Sequence, residues 1–222
     1  MRKVSVLLAA FHGEKYIHEQ IASILPQLEP CDELIISDDS PELALSFEDS
    51  RIKYIQGPQQ GAIKNFEFLL AQARGDILVL SDQDDVWLPG KLERTRELLC
   101  EDEPALLVHG AYLTDERLNK TGQMSARTGL VRNLFRNSYT GCCMAFTKQL
   151  LPYILPFPKN IPMHDQWIGL RAERYGSVTV LSEPLMLWRR HGAAQTISPS
   201  SFKQKITWRI NMLCVLLRGG CR

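Results

Sequence analysis

The chain has 222 residues, 45% hydrophobic and 23% charged, with a formal net charge of +1. This suits one globular domain with room for an appended terminal element, and near-neutrality excludes the basic field of a nucleic-acid binder. No apolar run reaches the length of a membrane span, and the six cysteines lack metal-finger or CxxC spacing, so the expectation is reduced thiols in a cytosolic protein. In chain order, Lys3 to Ala9 predicts a central strand, too short for the apolar core and cleavage site of a signal peptide, and Phe11-His12-Gly13 a turn. Ile17, Ile21, Ile24, Leu25 and Leu28 share a helical stripe that Pro30 is expected to stop. Glu33 to Ser37 is a second strand ending in Asp38-Asp39, and Ile52 to Ile55 a third. Ile63, Phe66, Leu70 and Ala73 line a second helix, with Gly75 as its expected C-terminal cap. Ile77 to Leu80 is a buried strand that ends in Asp82, Asp84 and Asp85.

This alternation favours a mostly parallel sheet with helices on both faces. Ligands of such sheets bind beyond the carboxyl ends of the strands. Three carboxylates gathered there repel one another unless a cation or donors compensate, and oxygen ligands at that density suit Mg2+ or Mn2+. An acidic turn capping the next helix is the plain structural alternative. Two neighbouring strands with acidic ends point instead to a nucleotide carrying a metal on its phosphates.

The second half is less regular. Ala105 to His109 predicts a strand and Tyr112 to Gly129 an exposed polar excursion. Arg127, Arg132 and Arg136 are either solvated surface or a basic rim for an anionic acceptor carrier or donor diphosphate. Tyr139 to Phe146 turns from small to apolar residues, and Cys142 and Cys143 read as buried apolar positions rather than nucleophiles. Asp165 falls in the first turn of a helix, where the dipole favours carboxylates. Ser177 to Leu181 is a strand, and Pro184 to Gly192 runs from apolar into basic. From near Ser200, Phe202, Ile206, Ile210, Leu213 and Leu217 line a last helix that carries Lys203, Lys205, Arg209 and Arg218 and ends at Gly219-Gly220. It is a helix docked on the domain or an interfacial one at an inner-leaflet membrane surface.

The segments Val4-Ser5-Val6-Leu7-Leu8, Ile35-Ile36-Ser37-Asp38-Asp39-Ser40 and Ser81-Asp82-Gln83-Asp84-Asp85-Val86-Trp87-Leu88-Pro89-Gly90-Lys91, in this order, resemble family 2 glycosyltransferases of the GT-A fold. The form around Asp82 to Trp87 is similar to rhamnosyltransferase-like bacterial members. The resemblance runs from Val4 to about His191. It implies a GT-A (Rossmann-like) domain over residues 1–200 with a basic amphipathic helix over 201–222. Ala9, Phe11, Asp38, Asp39, Lys64 and Asp82 then match the nucleotide side. Asp84 is the direct metal ligand, joined by Asp82 and His191. Asp165 is the catalytic base, and Thr140, Gly141 and Arg189 lie on the acceptor or diphosphate side. The implied reaction is inverting transfer of a sugar, L-rhamnose being the expectation, from a dTDP- or UDP-linked donor to a lipid-linked or saccharide acceptor in surface polysaccharide synthesis. The rivals are a non-catalytic nucleotide-sugar-binding subunit and a nucleotidyltransferase; the latter needs a glycine-rich phosphate loop that Phe11-His12-Gly13 does not supply.

Overall fold

The computed structural model describes residues 2–125, 127–159, 161–191 and 202–218. In chain order the elements are β1 (Val4–Ala10), α1 (Ile17–Ile24), β2 (Glu33–Asp38), β3 (Ile52–Gln56), α2 (Ala62–Gln72), β4 (Ile77–Asp82), β5 (Val86–Trp87), α3 (Lys91–Leu98), β6 (Ala105–Thr114), β7 (Lys120–Met124), α4 (Leu130–Phe135), β8 (Met144–Thr147), α5 (Leu151–Ile154), α6 (His164–Tyr175), β9 (Ser177–Arg189) and α7 (Phe202–Arg218). The strands form one sheet in the order β3-β2-β1-β4-β8-β6-β9-β5, with β7 paired to β6. The block β3-β2-β1-β4 is parallel throughout. In the far half β6 and β9 are parallel, while β8, β5 and β7 pair antiparallel. Val6, Leu7, Leu8 of β1 and Ile77 to Leu80 of β4 are fully buried, as expected of central strands covered on both faces.

Several boundaries differ from those the sequence suggests. α1 ends at Ile24 rather than near Pro30, because Pro26 has no N–H for an α-helical bond, and Leu25–Gln27 tightens into a 3-10 turn. Gly75 does not cap α2, whose helical geometry ends at Gln72 with Ala73 extended. Its lack of a side chain instead admits β1, since a Cβ at Gly75 would meet Ser5 N at 2.5 Å. The expected excursion after Tyr112 is largely the β6–β7 hairpin. The strand after Ser177 and the apolar run from Pro184 are one strand, β9, with a register shift opposite His109 and Gly110.

α7 docks by Met212 and Leu216, both buried, and leaves Ile206, Ile210 and Leu213 exposed. The Arg174 guanidinium donates to the Leu216 carbonyl at 3.0 Å, and Arg209 donates twice to the Phe135 carbonyl, at 2.8 and 3.1 Å. The start expected near Ser200 and the Gly219-Gly220 stop lie outside the described residues, as do the side chains of Phe202, Lys203, Lys205, Leu217 and Arg218.

Candidate active site

β1 lies between β2 and β4, so strand order reverses at the β1–β4 seam, and the crevice beyond that seam is where open α/β sheets take ligands. The register puts Ala9 level with Ser37 on one side and with Asp82 on the other. Gln83 ties the two strand ends together. The Phe11 N–H donates to Gln83 Oε1 at 2.8 Å, and Gln83 Nε2 donates to the Phe11 carbonyl at 2.9 Å. Gly13 makes room for this clamp, because a Cβ there would fall on Gln83 Oε1. The Phe11 ring, 49% exposed, leaves an aromatic face open to a base.

Asp38 and Asp39 are buried at the end of β2. Asp38 accepts from the Ser40 N–H at 3.0 Å and the Tyr54 hydroxyl at 2.7 Å. Asp39 accepts from the N–H groups of Gln59 at 2.6 Å and Gly61 at 2.7 Å. All four oxygens therefore fix the loops around them, and a nucleotide contact would use their remaining lone pairs. Lys64 is ion-paired with Glu67, whose other oxygen accepts the Phe157 N–H at 2.7 Å. Its neighbour Asn65 is buried and donates to the Ser37 carbonyl at 2.9 Å, pinning α2 to β2.

The acidic cluster lies at the end of β4. His191 Nε2 is 2.7 Å from Asp84 Oδ2, joining residues 107 positions apart. Burial, then the Asp84 and Asp165 carboxylates, push Asp82 up to about 7. Asp85 is fully buried and also raised, first by burial and then by Asp82 and Asp84. One Asp85 oxygen accepts the Arg189 N–H at 3.1 Å, and the other has no partner among the described residues. Ligand atoms of Asp82, Asp85 and Cys142 lie within 4.8 Å of one another. The Cys142 thiol is raised by its hydrogen bond to the Cys143 thiol and by burial, and a thiol is a poor partner for a hard ion. Clustered carboxylates, an orphaned buried oxygen and a neighbouring imidazole fit Mg2+ or Mn2+.

Two cations brace this cluster from the protein side. Arg189 is buried; it donates to the Asp84 carbonyl at 2.7 Å and the Glu116 carbonyl at 2.6 Å, and pairs with Glu19. Arg189, expected on the acceptor or diphosphate side, thus uses one N–H on each guanidinium nitrogen to hold the Asp84 carbonyl, the Glu116 carbonyl and Glu19. Lys91, fully buried at the start of α3, donates to the Cys142 carbonyl at 3.1 Å and sits 4.0 Å above the Trp87 ring. Burial lowers it to about 8, with Asp85 and Asp82 among the groups acting the other way. The motif reading assigned Lys91 and Gln83 no role. The signal for Lys91 was a cation in the first turn of a helix, where the dipole disfavours it.

Asp165 opens α6, and burial pushes it up to about 6. It accepts from the Gln166 N–H at 2.6 Å and, at 3.4 Å, from the Asn137 amide. Next to it His164 stacks on Phe66 with ring centroids 4.2 Å apart, and a Cβ on Gly141 would approach its Nε2 to 2.8 Å. The Thr140-Gly141 turn is thereby pressed against the start of α6. The structure thus gathers Asp82, Asp84, Asp85 and His191 at one strand end, with Asp165 close enough to raise Asp82.

The model of glycosyl transferase family 2 matches residues 5–153. The chain belongs to that family. Among its relatives, the Escherichia coli UDP-Glc:alpha-D-GlcNAc-diphosphoundecaprenol beta-1,3-glucosyltransferase WfgD is 24% identical over 217 residues, 93% of this chain and 84% of that protein. The Shigella flexneri dTDP-rhamnosyl transferase RfbG is 27% identical over 222 residues, 89% of this chain and 76% of that protein. S. aureus TarS 1-349 in complex with UDP-GlcNAc superposes with a TM-score of 0.68 at 19% identity, over 90% of this family 2 chain and 62% of that one. Glucosyl-3-phosphoglycerate synthase from Mycobacterium tuberculosis, in complex with Mn2+, UDP and phosphoglyceric acid, gives 0.57 at 20% identity, over 100% and 80%. The fold is GT-A, and the family's activity is that of a glycosyltransferase acting on nucleotide sugars.

Proposed function

We propose that this family 2 protein is an inverting, metal-dependent glycosyltransferase that moves a hexose, L-rhamnose by preference, from a dTDP- or UDP-linked donor to a hydroxyl of a lipid-linked or saccharide acceptor. The observation that carries the reading is the meeting of Asp84 with His191 at 2.7 Å, with Asp84 close enough to Asp82 to raise it, at the seam where the sheet reverses. The nucleoside lies along the ends of β1 and β2, with its base beside Phe11 and Ala9. Asp84, His191 and Asp82 would hold Mg2+ or Mn2+, which neutralises charge on a departing diphosphate when bound. Arg189 and Lys91 keep the acidic loop in place from behind. Asp165 takes the proton from the acceptor hydroxyl as that oxygen bonds to the anomeric carbon and the bond to the diphosphate oxygen breaks on the opposite face. One displacement inverts the configuration, and no residue forms a covalent intermediate. Rhamnose as the sugar is supported by the dTDP-rhamnosyl transferase among the relatives, and the UDP-Glc relative keeps UDP donors in view. The setting we assign is surface polysaccharide synthesis on the inner face of the membrane, supported by the diphosphoundecaprenol-linked acceptor in the name of the Escherichia coli relative. No helix of the described residues is long and apolar enough to cross a membrane.

The test is a thermal-shift panel of dTDP- and UDP-sugars with and without Mn2+, repeated on Asp84→Ala. A donor raises the melting temperature by mass action. The expected result is a Mn2+-enhanced shift for one donor that disappears in the variant. Equal shifts in both proteins would remove Asp84 from the metal site, and no shift with any donor would sink the reading.

A further inference from the structure

Away from the acidic cluster, a cleft of about 430 Å3 opens between the end of β7, α4 and Trp188. Its polar wall carries Arg127, Arg132, Arg136, Asn137, Ser138 and Thr140, and no carboxylate lines it. None of the three guanidinium groups is ion-paired among the described residues. Arg132 alone has a side-chain partner there, the Ser138 hydroxyl at 3.3 Å. Three unneutralised cations around one concavity are a receptor for a multiply charged anion. The cleft also adjoins the base, because Asn137 both lines it and donates to Asp165. The reacting hydroxyl must reach Asp165, so what fills this cleft is the next part of the acceptor.

The outer face of the same helix says what the acceptor hangs from. On α4, Val131 and Phe135 are 68% and 58% exposed. They stand one turn apart, with Arg132 offset from Val131 by roughly 100° around the helix and Arg136 following Phe135 at the helix end. On α7 Ile206, Ile210 and Leu213 are exposed as well, and Arg209 joins the two helices through the Phe135 carbonyl. An apolar ridge edged with arginines is complementary to an anionic lipid surface.

We propose that this cleft is the acceptor's anion subsite: the arginines hold the phosphate or diphosphate that joins the acceptor sugar to a membrane lipid, and the α4–α7 ridge rests on the bilayer. The inference rests on the glycosyl-transfer reading and adds to it the site and charge of the acceptor. Two variants test it, Arg127→Gln/Arg132→Gln/Arg136→Gln and Val131→Ser/Phe135→Ser, in flotation with phosphatidylcholine vesicles carrying a long-chain isoprenyl diphosphate. Control vesicles carry phosphatidylglycerol to equal charge, and inorganic pyrophosphate is titrated in metal-free buffer. Wild type should float with the diphosphate vesicles and bind pyrophosphate. The glutamine variant should lose both by roughly tenfold or more, and the serine variant should lose flotation alone. Both should bind a nucleoside diphosphate with Mn2+ as wild type does, which also shows that they fold. Equal flotation with phosphatidylglycerol, or unchanged flotation of the glutamine variant, overturns the subsite. Pyrophosphate binding without flotation makes the acceptor a soluble phosphate and overturns the lipid. Failure of wild type to bind the nucleotide overturns the glycosyl-transfer reading and this inference with it.

Discussion

At the residue scale, Asp165 separates a chemical role from a structural one. Asp165→Asn keeps the size and removes the proton acceptor, so single-turnover transfer at saturating donor should fall by roughly two to four orders of magnitude with donor binding near wild type. A first-turn Asp serving only the helix dipole would cost about 0.3–1 kcal/mol and leave the rate alone. The pH dependence has a definite sign. Burial raises Asp165 from 3.8 to about 6, so its contribution to stability is whole below the unfolded value and is lost as pH rises through about 6. Asp165→Asn should therefore melt higher relative to wild type at pH 8 than at pH 4. The wild-type transfer rate should fall as pH drops below about 6, because the base is then protonated. A variant that melts lower at both pH values would assign Asp165 to holding α6. Gln83 belongs to this scale too. Its two bonds to Phe11 are worth about 0.5–1.5 kcal/mol each, so Gln83→Ala should weaken nucleotide binding roughly tenfold. Gly13→Ala should do the same by displacing Gln83 and should add nothing in the Gln83→Ala background. Additive losses in that double-mutant cycle would show that Gly13 acts elsewhere.

At the scale of elements, α3 and β5 together form the floor of the site. α3 begins with a lysine that opposes its own dipole, and β5 pairs with β9 so that Trp87 lies under the Lys91 ammonium. The nearby Asp85 and Asp82 carboxylates favour the charged form of this buried lysine. Lys91→Met fills nearly the same volume and leaves the buried Cys142 carbonyl without its donor, a change on the order of 1–3 kcal/mol. Urea denaturation should show that loss at neutral pH. The helix α2 shows another way in which an element serves the site. Asn65 and Glu67 tie it to the end of β2 and to Phe157, which leaves Lys64 bound to its own helix. That ion pair follows from Glu67 lying one turn along.

At the scale of the whole molecule, α7 is attached by a narrow seam. Met212 and Leu216 enter the core, and the contacts to Arg174 and the Phe135 carbonyl are side chain to backbone. Met212→Asp would bury a charge with no partner, so α7 should release rather than the sheet unfold. Limited proteolysis should then cut α7 roughly ten or more times faster while nucleotide binding with Mn2+ persists. Loss of binding in step with cleavage would make α7 part of the catalytic fold. On the sequence the stripe at Ile206, Ile210 and Leu213 serves equally a helix docked on the domain and an interfacial one. The structure turns it outward, because docking depends on where the helix meets α4 and the core, and local periodicity carries no information about that.

The same division runs through the chain. The order of apolar runs and breaks determined the alternation of strand and helix, since burial on both sheet faces demands continuous Val, Ile and Leu, and the motif at Asp82 to Trp87 marked the strand end that matters. The place of Asp165 in a first helical turn was legible because that is a local feature; its role as base came only from the family resemblance. The meeting of Asp84 with His191, the spending of Arg189 behind the acidic loop and the Gln83 clamp on Phe11 join residues between 72 and 107 positions apart. Contacts at that separation are decided by strand order and by which buried polar groups must find partners. The fusion of two apparent strands into β9 has the same origin: β6 supplies a continuous partner on which Ser182 and Glu183 can be carried through a register shift, and that partner exists only once the sheet has formed.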